Sequence, residues 1–512
     1  MVRAVEASAA IEATDRAEVE HVDVLIVGAG ISGISTACHL RERCPSKSFT
    51  ILEARDAIGG TWDLFRYPGI RSDSDMFTLG YSFRPWEEPE AIAPGGKILD
   101  YIRATADAYD VSDEIRFAHR VVGAEWSSEE SRWRVEVERS DDVGTTETLE
   151  MTCWFLAGCT GYYRYDEGYR PEFPGSDRFA GPIIHPQRWP EDLDYAGKRI
   201  VVIGSGATAV TLVPALSETA AHVTQLQRSP GYVASLPAKD PVAIALRRRL
   251  PARTAYSLAR AKNVAMQWLS YRFSRRFPRT MRKLLRKAAA AGLPPGYDVD
   301  THFNPDYDPW DQRLCLIPDG DLFTAISSGR AEIVTDRIET FTETGIRLAS
   351  GRDLEADIII TATGLRMLFF GGIDVVVDGH EIDPAESVAY KAMMLSGVPN
   401  LSFAVGYTNA SWTLKCDLVA KYVCRLINYM DEHGYAYCTP RAPGPDVELT
   451  PVLDLKAGYI LRSLDELPKQ GSRAPWRLRQ NYPYDVAMLR WGAIEDEGME
   501  FARAPAPAAA VA

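Results

Sequence analysis

The sequence predicts an α/β fold of two Rossmann-like domains, the second inserted into the first, with an additional helical subdomain. Two β-rich apolar runs, at 22–27 and Arg199–Ile203, each lead into a glycine turn and then into a helix-like stretch. About 20 residues later comes another apolar run, at Phe49–Leu52 and at 223–226. Strand, glycine turn, helix and strand make a βαβ unit, so the chain contains that unit twice.

The composition is that of a folded globular protein. Of the 512 residues, 46% are hydrophobic and 25% are charged, and the net charge of −13 disfavours nucleic acid as a partner. No run approaches the roughly 18–20 apolar residues that cross a bilayer, and the first 20 residues have no apolar signal core. The eight cysteines form no CxxC pair, which argues against a zinc site and a disulfide scaffold. We therefore expect a soluble cytoplasmic protein without a bound metal.

The first glycine turn has the residues that bind a dinucleotide. Gly28, Gly30 and Gly33 form GxGxxG ahead of the helix-like stretch at 34–43, and Glu53 ends the next strand. Such glycines allow a tight turn and let a pyrophosphate approach the helix N-terminus, while the acid accepts a hydrogen bond from a ribose hydroxyl. The alternative is a structural glycine turn with a surface glutamate.

The residues after Glu53 indicate FAD. The sequence GGTW at 59–62 lies where the ribityl chain and ring of a flavin would follow. No CxxxxC pair occurs near this point, which disfavours the dithiol relay of a disulfide reductase.

The second glycine turn predicts an NADPH site. Gly204, Gly206 and Ala209 form GxGxxA, and the strand that follows ends in Arg228 instead of an acid. A guanidinium there can hold the adenosine 2′-phosphate in a forked geometry, whereas an acid would repel it. The alternative is an arginine on a solvated strand end. Two dinucleotide sites in one chain favour hydride transfer from one cofactor to the other.

These sites define the expected domain organisation. The predicted parts are a flexible arm at 1–20, the first part of the FAD-binding domain at 21–175, the NADPH-binding domain at 176–354 with a helical insertion at 240–300, the second part of the FAD-binding domain at 355–502, and a flexible tail at 503–512.

The segment 241–290 is basic in an otherwise acidic chain. It contains fourteen Lys or Arg residues and no Asp or Glu, with aliphatic and aromatic residues interspersed. A basic amphipathic helix with aromatic residues can lie on an anionic membrane surface. The alternative is a helical subdomain that buries these apolar residues and leaves its basic face in water.

Two motifs resemble those of a known family. Residues 179–190, FAGPIIHPQRWP, fit FxGxxxHxxxW[P/D] at every fixed position, and the segment from 59–62 through YPG at 67–69 to Asp73 fits a second pattern. Both resemble the Baeyer–Villiger branch of the class B flavin monooxygenases. The resemblance extends over about residues 20–503.

The resemblance implies roles for individual residues. The active-site arginine of the family matches Arg313, although Gln312 replaces the lysine that often precedes it, and the aspartate that holds the arginine matches Asp73. His185 and Trp189 would couple the domains, with proton transfer as the alternative for His185. The implied FAD contacts are Gly28, Gly30, Ser32, Gly33, Glu53, Thr61, Trp62, Asp63, Leu64, Asp73 and Val121. The implied NADP contacts are Arg71, Ser72, Asp73, Gly204, Ser205, Gly206, Ala207, Thr208, Ala209, Val210, Gln227 and Arg228. The loop 408–414, with Asn409, Ser411 and Trp412, would lie beside the substrate, and 468–476 would form a mobile lid.

The resemblance also implies an activity. In the family, NADPH and O₂ are used to insert oxygen beside a ketone carbonyl through a C4a-peroxyflavin, giving an ester or lactone. Arg313 suits this chemistry because a fixed cation that never loses its proton stabilises developing negative charge. The expected substrates are ketones, with sulfides or thioamides also oxygenated. The alternatives are a heteroatom-oxygenating flavin monooxygenase and a non-catalytic NADPH-sensing flavoprotein.

Overall fold

The computed structural model of the chain describes residues 19–141, 143–453 and 458–504. Nearly all of the predicted flexible arm at 1–20 and of the flexible tail at 503–512 lies outside the described residues.

The described strands run through the chain in this order: β1 (Glu20–Val27), β2 (Phe49–Leu52), β3 (Ile115–Arg116), β4 (His119–Ser127), β5 (Arg132–Ser140), β6 (Thr146–Gly158), β7 (Tyr163–Gly168), β8 (Ile183–Ile184), β9 (Arg199–Ile203), β10 (His222–Gln227), β11 (Val233–Leu236), β12 (Cys315–Pro318), β13 (Ala331–Thr335), β14 (Ile338–Thr342), β15 (Gly345–Leu348), β16 (Asp353–Glu355), β17 (Ile358–Thr361), β18 (Leu365–Met367), β19 (Asp374–Val377), β20 (His380–Glu381), β21 (Ala389–Tyr390), β22 (Met394–Leu395), β23 (Leu401–Phe403), β24 (Tyr437–Pro440), β25 (Leu449–Pro451), β26 (Lys469–Gly471) and β27 (Met499–Ala502).

The described α-helices are α1 (Ile31–Arg43), α2 (Thr61–Leu64), α3 (Met76–Leu79), α4 (Gly95–Ala108), α5 (Ala207–Leu216), α6 (Pro241–Arg247), α7 (Ala252–Arg276), α8 (Pro278–Gly292), α9 (Val299–Phe303), α10 (Asp321–Ser327), α11 (Trp412–His433), α12 (Gly458–Leu461) and α13 (Tyr482–Asp485). None of the helices in the described ranges is both long and apolar enough to span a membrane.

The first large sheet has the strand order β20-β19-β4-β5-β6-β1-β2-β3, and β23 pairs with β6. Its central strand β1 runs parallel to β2 and β6, with Val24 opposite Phe49 and Phe155. One core cluster joins β1 to α1 and α11, while a second contains Trp126 and Trp133 of β4 and β5. The apolar strands are therefore covered on both faces, as parallel strands require.

The second sheet is wholly parallel, in the order β13-β10-β9-β17-β8. The predicted domain boundary at 354/355, which stays a prediction, lies just before β17. Strand β17, which the sequence assigns to the FAD-binding domain, pairs with β9 in register from Ile358 opposite Ile200. Its sequence IIIT is buried at every position, so it belongs between two covered strands and the chain returns to the first domain only after Thr361.

The predicted helical insertion is present as α6 to α9. Helix α6 begins at Pro241, and Asp240 Oδ1 accepts hydrogen bonds from the N–H groups of Val242 and Ala243 at 2.9 and 3.0 Å. An aspartate cap followed by proline is a strong helix start. Helix α7 packs on α3, where the buried Arg260 donates to the carbonyl groups of Phe77 and Gly80 at 2.9 and 2.7 Å. The insertion is thus attached to the first domain.

Candidate active site

The first glycine turn has the geometry of an anion-binding loop. Gly28 has φ of +104°, and a Cβ on Gly33 would lie 1.8 Å from the Gly28 carbonyl oxygen. In the described part of the chain, no side chain caps the start of α1 at Gly30. The first N–H groups of α1 are therefore available to an anionic ligand such as a pyrophosphate.

Glu53 lies at the end of β2, directly beside this turn. Its Oε2 accepts a hydrogen bond from Ala29 N–H at 2.8 Å, and its Oε1 accepts one from Arg55 N–H at 3.0 Å. Burial raises the pKa of Glu53, while these two bonds oppose the rise. The carboxyl group is therefore held in place where the motif predicts a ribose contact.

The Gly33→Ala variant is expected to lose FAD, because the added methyl group would overlap the Gly28 carbonyl oxygen and force α1 away from β1. The flavin absorbance that remains with the purified protein measures this loss. Gly96→Ala is the matched control, since a Cβ there meets nothing within 4 Å. Full flavin content in Gly33→Ala would contradict the assigned turn.

The second glycine turn repeats these features. Gly204 has φ of +146°, and a Cβ there would lie 2.3 Å from the Ala362 carbonyl oxygen. Helix α5 begins after Gly206, where the described residues provide no side-chain cap. Ser205, Ala207, Thr208, Ala209 and Val210 form the rest of this turn and the first turns of α5. The predicted NADPH residues at 204–210 thus form one continuous glycine turn and helix N-terminus.

Arg228 and Gln227 have different surroundings at the end of β10. Arg228 is exposed directly after the strand, at the place where a 2′-phosphate reader is expected. Gln227 is buried, and its Nε2 donates to the His302 carbonyl at 3.0 Å and to Thr335 Oγ1 at 2.9 Å. Its side-chain amide therefore holds neighbouring elements together, which sequence spacing could not distinguish from a cofactor contact.

Arg71 is a second cation near α5. Gly69 of the same segment packs on α5, since a Cβ there would lie 2.7 Å from Ala215 Cβ. Arg71 Nη1 pairs with Asp321 Oδ2 at 2.5 Å, but its Nε and Nη2 are buried without a hydrogen-bond partner in the described residues. Buried donors of a charged group are costly when unpaired, so this arginine suits an anionic ligand. The neighbouring Ser72 is instead paired with the backbone of Ala93.

Arg313 and Asp73 are brought together by the fold. The Arg313 Nη2 atom forms an ion pair with Asp73 Oδ2, and the two side chains are 35% and 38% exposed. The charge of Asp73 holds the pKa of Arg313 above its ordinary value. Arg313 lies two residues before the start of β12, whereas Asp73 belongs to the segment between α2 and α3. The cation is fixed by its partner and still accessible.

A cluster of tyrosines adjoins this pair and was not predicted. Burial raises the pKa of Tyr162, and the positive charge of Arg313 partly offsets this rise. The Tyr162 and Tyr163 hydroxyl groups lie 2.7 Å apart, and the Tyr459 ring packs on Tyr163 at 6.3 Å between centroids. Burial also raises the pKa of the Tyr459 phenol. These phenols stay protonated at neutral pH, so they surround Arg313 without neutralising it.

The loop 408–414 reaches both the first glycine turn and the tyrosines. Trp412 Nε1 donates to Ser32 Oγ at 3.0 Å, and its ring stacks on Tyr162 with 4.7 Å between centroids. Asn409 Nδ2 donates to the Gln480 carbonyl at 2.9 Å, and Ser411 Oγ lies 2.5 Å from Thr78 Oγ1. This loop therefore borders the site, although its polar groups have partners within the protein.

The segment 468–476 packs against the protein in this structure. Its residues Lys469–Gly471 form β26, and Trp476 is buried with its Nε1 donating to the Arg441 carbonyl at 2.9 Å. The opening of this segment as a mobile lid stays a prediction.

His185 and Trp189 lie between the two domains. His185 Nε2 is 3.1 Å from the Gly364 carbonyl oxygen, and Nδ1 accepts a hydrogen bond from Gln187 N–H at 3.3 Å. A carbonyl can only accept, so Nε2 carries the proton. Burial lowers the pKa of His185, which keeps the ring neutral. Trp189 packs against the core of the second sheet and contacts Tyr195. These contacts join β8 to the return segment after β17.

The remaining predicted FAD residues lie around the first sheet. Thr61 Oγ1 is 3.2 Å from Tyr165 OH, and Trp62 packs on the core beneath α1. Asp63 is buried and pairs with Arg55 and Arg66, each at 2.6 Å. Leu64 ends α2, and Val121 is buried in the core between β4 and β5. The Asp63 carboxylate is thus occupied by arginines, which the motif did not indicate.

Two dinucleotide turns and a fixed arginine are the features of a flavoprotein monooxygenase. The family model for flavin-binding monooxygenase-like proteins matches residues 21–289, and the chain belongs to this family. It is 59% identical over 489 residues to the FAD-containing monooxygenase EthA of Mycobacterium tuberculosis strain H37Rv. The aligned residues cover 95% of this chain and 99% of that protein.

Solved structures of low identity share the fold. Oxidized steroid monooxygenase bound to NADP matches with a TM-score of 0.71 at 24% identity, over 94% of this chain and 100% of that chain. The complex of OTEMO with FAD and NADP matches with a TM-score of 0.68 at 24% identity, over 83% and 88%. The predicted fold class, two Rossmann-like dinucleotide-binding domains, is confirmed, and so is the predicted class of flavoprotein monooxygenase.

Proposed function

We propose that the chain is an FAD- and NADPH-dependent Baeyer–Villiger monooxygenase that converts a ketone and O₂ into an ester or lactone and water, and that also oxygenates sulfides or thioamides. The observation that carries this proposal is the ion pair of Arg313 and Asp73 beside the tyrosine cluster. A permanent cation held in a fixed position stabilises negative charge that appears on oxygen during the reaction.

The two glycine turns suit the two cofactors. When bound, NADPH supplies the electrons and FAD supplies the activation of O₂. The N–H groups at the start of α1 and Glu53 would hold FAD. The start of α5, Arg71 and Arg228 would hold NADPH, with Arg228 on the 2′-phosphate. Asp73 orients Arg313 and keeps the pair close to neutral when no substrate charge is present.

An apolar cavity next to Tyr162 suits the carbon skeleton of a ketone. Besides Tyr162, its walls include Met367, Phe369, Phe403 and Leu453. Tyr162 connects the cavity with Arg313, because its phenol lies within the electrostatic influence of that cation. A carbonyl group directed towards Arg313 from this cavity would leave an apolar chain in apolar surroundings.

The proposal is tested by incubating the holoenzyme with NADPH, an aliphatic ketone and ¹⁸O₂. We expect an ester that contains one ¹⁸O atom, with one NADPH consumed for each ester formed. A parallel incubation with a sulfide compares the two reactions at equal enzyme concentration. Sulfoxide formation without any ester would favour heteroatom oxygenation, and stoichiometric hydrogen peroxide without either product would indicate an oxidase.

A further inference from the structure

The helical subdomain exposes the apolar residues that an amphipathic helix normally buries. On α7, Leu258, Met266, Leu269 and Phe273 are 47%, 59%, 57% and 38% exposed. Because an α-helix turns by about 100° per residue, these four side chains lie within about 80° of one another around the helix axis. Phe277 and Leu284 of the next segment are exposed as well. We call these six residues the apolar face.

The side of α7 that is buried has different residues. Its buried positions are Ala255, Tyr256, Ala259, Arg260, Asn263 and Ser274, which are mostly small or polar. Arg260 donates a hydrogen bond to the Phe77 carbonyl of α3, and Asn263 donates one to the Asp75 carboxylate. The apolar face is therefore not part of the core, and the alternative in which the subdomain buries its large apolar residues does not apply to these six.

Exposed cations are frequent in the same segment as the apolar face. Of the fourteen basic residues at 241–290, five have hydrogen-bond partners in the protein. Arg260 is buried and donates to backbone carbonyl groups, and the other four pairs are Lys262 with Asp240, Arg275 with Asp311, Arg282 with Asn304, and Arg286 with Asp300. The nine others are exposed, and none has a carboxylate within ion-pair distance in the described ranges; they are Arg247, Arg248, Arg249, Arg253, Arg272, Arg276, Arg279, Lys283 and Lys287. The segment contributes no acid of its own.

We propose that α7 and α8 form a docking surface for an anionic lipid bilayer. The apolar face would enter the boundary between headgroups and acyl chains, and the exposed cations that flank it, such as Arg272 and Arg276, would contact the anionic headgroups. An anionic bilayer matches both the apolar face and the exposed cations, since it presents negatively charged headgroups above an apolar layer. A free polyanion would match the cations but leave the apolar face exposed to water.

The same helix lines a cavity beside the candidate site. Val264, Trp268 and Tyr271 of α7 form one wall, and Asn409 of the 408–414 loop and Leu414 of α11 form another. If the proposed ketone oxygenation is correct, an apolar ketone dissolved in the bilayer would have a short path to this cavity. The docking surface itself does not depend on that function.

The test is co-sedimentation of the FAD-loaded protein with vesicles of phosphatidylglycerol and phosphatidylcholine. We expect binding at low ionic strength, loss of binding at high salt, and none to pure phosphatidylcholine. Lys283→Gln with Lys287→Gln should lower the partition about thirtyfold, about fivefold for each cation. Phe273→Ser should lower it severalfold. The matched controls are Phe117→Ser, at 37% exposure, and Arg120→Gln, which alter the first domain and should leave binding unchanged.

Two results would overturn the proposal. One is no sedimentation with the anionic vesicles at low ionic strength. The other is concentration-dependent self-association that Phe273→Ser abolishes, measured by sedimentation velocity without vesicles, together with no vesicle binding. The second result would assign the apolar face to another copy of this chain. Ester formation measured without vesicles reports on the proposed function separately.

Discussion

The Arg313→Ala variant is expected to retain FAD while its rate of ester formation falls by at least about 10²–10³-fold. Arg313 acts on negative charge that develops only during the reaction, so its loss should reduce kcat and kcat/KM together. Gas chromatography at varied ketone concentration measures the rate of ester formation, and flavin absorbance of the same sample measures the bound FAD. Arg313→Lys should be intermediate, because lysine keeps the charge but lacks the planar guanidinium group whose Nη2 pairs with Asp73.

Arg116→Ala is the matched control for this variant. Arg116 is 36% exposed, close to the 35% of Arg313, and it also pairs with one carboxylate, that of Glu20 at the edge of the first sheet. Its replacement should leave ester formation within about twofold of the wild type, since exposed ion pairs contribute little. Near wild-type ester formation by Arg313→Ala would remove this arginine from the reaction.

The Arg228→Ala variant is expected to raise the KM for NADPH roughly ten- to a hundredfold and to change the KM for NADH little. A forked hydrogen bond between a guanidinium and a phosphate contributes about 1.5–3 kcal/mol, and NADH lacks the 2′-phosphate that would accept it. Steady-state rates at varied concentrations of the two cofactors measure the difference. Arg347→Ala, on β15 of the same inserted domain, is the control because Arg347 pairs with Asp353 at 2.8 Å. Equal increases for NADPH and NADH in Arg228→Ala would show that this residue does not read the phosphate.

The parts of the fold that depend on local pattern were predictable. The glycine turns, α1 and strands β2 and β9 agree with the predictions from the sequence. Each of them follows from short-range periodicity and from glycines at the spacing that a dinucleotide-binding turn requires. The boundary at 354 stays a prediction. The apolar run at 358–361 suits either large sheet by its sequence, and its pairing with β9 is seen only in the structure.

Site residues that belong to a motif could be predicted from the sequence. Site residues that segments distant in the chain bring together could not be predicted. Arg313 and Asp73 came from the family resemblance, and the fold places them in contact. Tyr162 and Tyr459 come from segments far apart in the chain, and neither belongs to a motif. The only signal was the Tyr162-Tyr163 pair shortly after the buried strand β6, at the carboxyl edge where ligands bind in such sheets. Sequence alone could not show that Gln227 points inward, because its spacing is that of a cofactor contact.

The strands of the first sheet come from before and after the inserted domain in the chain. This arrangement sets an order in which the chain can fold during synthesis. Strands β1 to β6 leave the ribosome first, whereas β23, which pairs with the end of β6 at Leu156–Gly158, follows only after the whole inserted domain. Until then, the end of β6 beyond its pairing with β5 has an open edge, and open edges invite pairing with other chains. The inserted domain brings its two ends together at β8 and β17, and β18 to β22 then precede β23. The time that this edge of β6 stays open therefore includes the synthesis of the inserted domain and of these five strands.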